Sequence, residues 1–192
     1  MLQHIIPSKT RRKTLALFFQ NINQNFHLRK VAREIDEEIN AVKRELDILE
    51  EEGLLKKEKR ANKVIYSLNP KYFFYDELLR IFTKRCNLTQ TILKNLSKIG
   101  KLKYVVLSHK FAKRQKLPEG EVYLLLVGIV VLPEVTKIIA EEEKNYGSEI
   151  NYTIMTEEEF SFRKKNNDPF IWSFLKYPKI MILGEEENLM KS

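Results

Sequence analysis

Asn40, Lys43 and Arg44 stand three and four residues apart, the spacing that places side chains on one face of a helix. These residue types offer a particular chemistry. An Asn amide can pair with two groups on the major-groove edge of adenine, and Lys or Arg with two on guanine. A second set, Lys56, Lys57, Lys59, Arg60 and Lys63, crowds positive charge into one short stretch. Such charge suits phosphate oxygens, which hold a protein in register without specifying sequence. Arg29 and Lys30 add two cations upstream. The alternative for both sets is a solvated polar face with no ligand, and spacing alone leaves it open.

The elements that must position these residues follow from apolar periodicity. Ser8 caps a helix with Leu15, Phe18, Phe19 and Ile22 on one side. A short helix follows with Leu28, Val31, Ala32 and Ile35. The third helix buries Ile39, Val42, Leu46 and Leu49, leaving Asn40, Lys43, Arg44 and Asp47 opposite, and stops at Gly53. Residues 54–60 and 63–68 alternate around Ala61-Asn62 and read as a hairpin, and Asn69-Pro70 closes the unit. Three helices and a basic hairpin make a winged helix-turn-helix over residues 1–70. Glu37 and Glu38, at the start of the third helix, count against tight phosphate contact there.

Charge is unevenly spread. Residues 1–116 carry 26 Lys and Arg against 12 Asp and Glu, a net +14, while residues 117–192 carry 8 against 14, a net −6. A polyanion partner is therefore expected for the first part only. No charged and then apolar leader follows Met1, so the expected location is the cytoplasm. The longest apolar run, Val122 to Leu132, is about half the length a membrane helix requires, so no membrane partner is expected. The lone Cys86 excludes an internal disulfide and a cysteine-rich zinc site. His4 and His27 are isolated, and no Ser/His/Asp or Cys/His arrangement stands out. The expected catalytic, metal and cofactor sets are empty. Acidic triplets at 50–52, 141–143, 157–159 and 185–187 read as solvated surface.

Beyond the hairpin, residues 71–99 form a helical linker with Phe73, Phe74, Leu78, Leu79, Phe82, Leu88, Ile92, Leu93 and Leu96 on its apolar side. From residue 100 to 184 the pattern is α/β. Strands are expected at 104–108, 121–129, 149–155 and 179–183, a polar loop at 109–120, and helices near 133–145, after Thr156 and at 169–176. Pro133 opens one helix and Thr156-x-x-Glu159 is a capping box for the next. An acidic tail fills 185–192. The fold class is α+β: a winged helix-turn-helix followed by a small α/β domain with a mixed sheet.

Two resemblances sharpen this reading. Residues 28–68 resemble the MarR/ArsR-type winged-helix regulators of bacteria and archaea, through the run Ala41 to Leu55 and the returning Tyr66-Ser67-Leu68. That implies double-stranded DNA as partner and a homodimer meeting successive major grooves; a protein partner, as in an antitoxin-like adaptor, is the alternative. Residues 76–184 resemble the minimal nucleotidyltransferases of the DNA polymerase beta superfamily, through 104–108, 121–128, 149–160 and 178–184. Active members use a Gly-Ser pair after the first strand, and Asp-x-Asp plus a third carboxylate for two Mg²⁺ ions. Here Ser108-His109 stands for the first and Glu121-Val122-Tyr123 for the second, with Asn151 or Thr153 where the third acid belongs. The resemblance therefore implies a nucleotidyltransferase-like domain that is no enzyme, with Ser108, His109, Glu121 and Tyr123 as a vestigial site serving dimerisation or ligand sensing. An active enzyme with a rearranged metal site is the other reading. The loop cations Lys110, Lys113, Arg114 and Lys116 suit either an anion sensor or a flexible basic loop.

Overall fold

The computed structural model describes residues 2–191. The chain divides into two units, residues 1–83 and 84–192. Both mix helix and sheet, so the fold class is α+β.

The first unit runs α1 (Lys9–Gln20), β1 (Phe26–His27), α2 (Leu28–Ile35), α3 (Ile39–Glu51), β2 (Leu55–Arg60), β3 (Lys63–Leu68) and α4 (Tyr75–Thr83). Its sheet has the order β1-β3-β2, all antiparallel. This is the winged helix-turn-helix topology. Ser8 caps α1, its hydroxyl accepting from the Arg11 N–H. Asp36 takes a left-handed conformation (φ 49°) to end α2, and Glu38 caps α3 by accepting from the N–H groups of Asn40 and Ala41. Those two devices make the tight turn between α2 and α3. The core joins Phe18 and Phe19 of α1, Val31 of α2, Val42, Leu46 and Leu49 of α3, and Tyr66 of β3. Full burial of such a side chain contributes about 1.5–3 kcal/mol each. Ile39, expected inside, sits on the first turn of α3 and is 39% exposed.

The stretch 71–99 is shared between the units. In α4, Tyr75, Leu79 and Phe82 are buried, and Phe82 stacks on Phe19 at 5.2 Å. Phe73 and Phe74, expected on the same apolar side, precede α4 and are exposed. The second unit begins with α5 (Asn87–Lys94) and α6 (Leu96–Ile99). It continues β4 (Gly100–Ser108), α7 (His109–Ala112), β5 (Leu124–Val130), α8 (Leu132–Tyr146), β6 (Tyr152–Met155), α9 (Glu157–Lys165), α10 (Pro169–Lys176), β7 (Lys179–Leu183) and α11 (Glu186–Met190). The mixed sheet has the order β6-β5-β4-β7, with only β5 and β6 parallel. One face carries Tyr104, Val106, Leu125, Val127 and Met155 against Phe160, Ile171, Leu175 and Leu189 from the helices.

Several boundaries differ from expectation for identifiable reasons. β4 begins at Gly100, because Leu102 alternates with Lys101 and Lys103 before a bulge between Leu102 and Tyr104 breaks the period. β5 begins at Leu124, so Glu121 to Tyr123 form an approach to the strand and not its first turn. The expected polar loop holds a helical turn, α7, capped by Ser108. The tail is not simply an acidic surface: α11 buries Leu189. Nor are all acidic triplets solvated. Glu142 is buried and accepts from the Asn87 amide at 2.6 Å.

Candidate nucleic-acid interface

α3 is held on the core by Val42, Leu46 and Leu49, so its other face is outward. Asn40, Lys43 and Arg44 are all exposed there. The acids around them are engaged within the unit. Glu37 is ion-paired to Lys13 at 2.8 Å and Lys9 at 3.0 Å. Glu38 caps α3. Glu45 accepts from Arg11 Nε and from the Ser8 hydroxyl, each at 2.6 Å. Asp47 and Glu50 face the Lys57 ammonium at 3.5 and 3.6 Å. The carboxylates that counted against phosphate contact are thus tied to α1, to the helix end or to the hairpin. Lys43 and Arg44 make no ion pair among the described residues.

The hairpin presents its cations unequally. Lys57 is directed back to α3 and over the Tyr66 ring, and Arg60 is ion-paired to Glu58 at 2.8 Å. Lys56, Lys59 and Lys63 are exposed and have no ion pair among the described residues. Pairing of β1 with β3, His27 opposite Ile65, brings the start of α2 beside the hairpin tip. A groove of about 530 Å³ results, with Arg29 on one wall and Asn62 and Lys63 on the other. Lys30 is half-buried, its ammonium 4.7 Å over the Phe26 ring. His27 caps α2, its Nδ1 accepting from the Lys30 N–H. Sequence reasoning missed β1, the His27 cap and the pairs from α1 to Glu37 and Glu45. A two-residue strand shows no alternation, and pairs between residues as far apart in sequence as Arg11 and Glu45 leave no local signal.

The Lys13 and Lys9 hydrogen bonds hold the Glu37 carboxyl down at about 2, against an ordinary value of 4.5. A depressed carboxylate contributes stability that is present above 4.5 and lost as pH falls toward 2. Glu37→Gln is therefore expected to flatten that part of the acid-unfolding curve. Urea midpoints measured from pH 5 down to pH 2 check it, and parallel curves for parent and variant refute it.

In the second unit, Ser108, His109, Glu121 and Tyr123 come together, and a cavity of about 400 Å³ lined by Glu121, Glu143, Glu149 and Asn151 opens beside Glu121. The Ser108 hydroxyl accepts from the Lys110 N–H, and the Ser108 N–H donates to the Tyr123 carbonyl at 2.7 Å. Glu121 is ion-paired to Lys110 at 2.5 Å. Tyr123 is buried beside Phe111 and Tyr146, with its hydroxyl donating to the Gln115 carbonyl at 2.8 Å. The Arg114 guanidinium lies 4.2 Å over the Tyr146 ring and donates to the Tyr146 carbonyl. Burial, with Tyr123 next, pushes the Tyr146 phenol up. His109 is buried and its N–H donates to the Pro178 carbonyl. Among the described residues, no group of three His, Cys, Asp or Glu side chains could hold a metal ion. Cys86 sits 3.4 Å from the Thr89 hydroxyl, and burial pushes its thiol up, away from reactivity.

No protein-family model matches the chain, and no curated protein matches it. Among solved structures, it is similar to reduced HlyU from Vibrio cholerae N16961 at 17% identity, covering 44% of this chain and 82% of that one, with a TM-score of 0.34. It is also similar to the transcriptional regulator BldR from Sulfolobus solfataricus at 17% identity, covering 51% of this chain and 77% of that one, with a TM-score of 0.33. No helix among the described residues is long and apolar enough to cross a membrane.

Proposed function

We propose that the chain is a transcriptional regulator that binds double-stranded DNA. Asn40, Lys43 and Arg44 read base edges in the major groove. Arg29, Lys30, Lys56, Lys59 and Lys63 contact phosphate, with Lys57 and Arg60 secondary because each already has a carboxylate partner. One observation carries this reading: Glu37, Glu38, Glu45 and Asp47, the acids nearest the exposed face of α3, are each held by another partner, while Lys43 and Arg44 make no ion pair among the described residues. The homodimer belongs to the proposal, since two recognition helices of a two-fold pair meet successive major grooves. So does the second unit as a nucleotidyltransferase-like domain without transfer activity. The Lys110–Glu121 pair and the buried Tyr123 support that part, because the sequence resemblance sets Glu121 and Tyr123 against the metal-binding acids of active members, and here one is ion-paired and the other is an aromatic side chain.

The test is selection from a random duplex pool, followed by a salt titration on the selected site. Counterion release gives a slope of roughly −0.9 per phosphate contact, so about five contacts per protomer, or about ten in the dimer, give roughly −9. Lys59→Ala removes one contact from each protomer and is expected to lower the slope by about 2 without changing site preference. Lys57→Ala changes it less. Equal binding to single strands, or a flat salt dependence, would refute duplex recognition.

A further inference from the structure

A second charged site lies in the second unit, away from Ser108 and Tyr123. A cleft of about 270 Å³ opens between β4, α9 and α11. Four ammonium groups line it, from Lys103, Lys164, Lys165 and Lys191, against one carboxylate, Glu157. That carboxylate is ion-paired to Lys103 at 2.7 Å, and the exposed Lys191 is ion-paired to Glu187, outside the lining, at 3.0 Å. Ser161 and Asn188 add neutral hydrogen-bonding groups, and Val127 and Phe160 contribute apolar surface. A surplus of positive charge is unexpected in this part of the chain, where residues 117–192 are net −6.

Lys164 is the telling residue. It is only 7% exposed, and its ammonium donates to the carbonyls of Leu189, at 2.7 Å, and Lys191. No carboxylate lies within ion-pair distance of it among the described residues. The other buried lysine of this unit, Lys179, is also 7% exposed, yet it has Glu186 at 3.1 Å. A buried cation whose partners are two neutral carbonyls is poorly compensated, since burial favours charge only when it is paired. Burial accordingly pushes the Lys164 ammonium below the usual lysine range. An anion entering the cleft supplies the missing counter-charge. Lysine ammonium groups act toward phosphate as flexible point charges and need no fixed fork geometry.

We propose that this cleft binds a small phosphorylated ligand, with its phosphate seated among Lys164, Lys165 and Lys191 and its organic part against Val127 and Phe160. Lys164 and Lys165, neither with an ion pair among the described residues, favour a dianion over a monocarboxylate, and the small volume favours a compact molecule over a polymer. The proposal does not depend on DNA recognition by the first unit, and it is tested without DNA.

The experiment is calorimetric titration of the full chain with inorganic phosphate, with acetate at matched ionic strength as control. Phosphate is expected to bind one saturable site in the millimolar range, with no saturable binding of acetate. Lys165 and Lys191 are exposed, so the double variant Lys165→Ala/Lys191→Ala should fold, and it is expected to bind at least tenfold more weakly. A Lys43→Ala/Arg44→Ala variant should bind phosphate as the parent does. The proposal is overturned by an absence of saturable binding, by unchanged affinity in the Lys165/Lys191 variant, or by loss that follows Lys43 and Arg44 instead.

Discussion

Replacing Lys43 and Arg44 together by alanine is expected to lower affinity for the selected duplex by about 3–5 kcal/mol, roughly two to three and a half orders of magnitude. Each side chain stands outward from α3 with no ion pair among the described residues, so each is available for a base edge. The fold should not register the change. Both residues are exposed, and substitutions away from buried features stay within about 0.5 kcal/mol. That separates the variant from Leu46→Ala, which would also abolish binding. Leu46 is fully buried beneath the same helix, and its truncation costs about 2–5 kcal/mol of folding stability. The measurement is fluorescence anisotropy on specific and scrambled duplexes beside a urea melt. Loss on the specific duplex with an unchanged melt is the expected pattern. Parent-like affinity in the double variant would remove α3 from the reading of sequence and leave only the hairpin as a contact.

The parts legible in the sequence were those governed by local chemistry. Ser8, Gly53 and the 3-4 spacing of Val42, Leu46 and Leu49 announce α1 and α3 with no tertiary information. The hairpin and the last strand follow from alternation and β-branching. Nine cations could be named as candidates, yet their standing could not be. Lys57 and Lys59 look alike in a run of charge, and only the fold turns Lys57 toward Asp47 and Glu50. Glu37 and Glu38 likewise read as obstacles until Lys9, Lys13 and the α3 cap account for them. Lys164 left a faint trace: it lies four residues after Phe160, on the apolar stripe of α9, where a lysine is out of place.

Gly128 is a site where a single methyl group should do large damage to the second unit. It lies on β5 at φ 141°, opposite the bulge of β4, where its pairing with Leu102 precedes the shift to Tyr104. A Cβ there would sit 2.3 Å from the Lys101 carbonyl oxygen and 2.9 Å from Leu102 Cα. Both are backbone atoms of the adjacent strand, so no side-chain rotation relieves the clash. Overpacking of about 1–3 kcal/mol adds to a backbone strain of about 1–3 kcal/mol, giving roughly 2–6 kcal/mol for Gly128→Ala. Gly120 is the control. It also has a positive φ, 80°, but nothing lies within 4 Å of its Cβ position, so Gly120→Ala should cost only about 1 kcal/mol. Trp172 is the single tryptophan of the chain and belongs to the second unit, with its indole N–H donating to the Lys164 carbonyl at 3.1 Å. Its fluorescence in a urea titration therefore follows this unit. A loss at Gly128 several times that at Gly120 is expected. Equal losses would mean that the positive φ alone demands glycine, and that the close approach of β4 to β5 at the bulge carries no energetic weight.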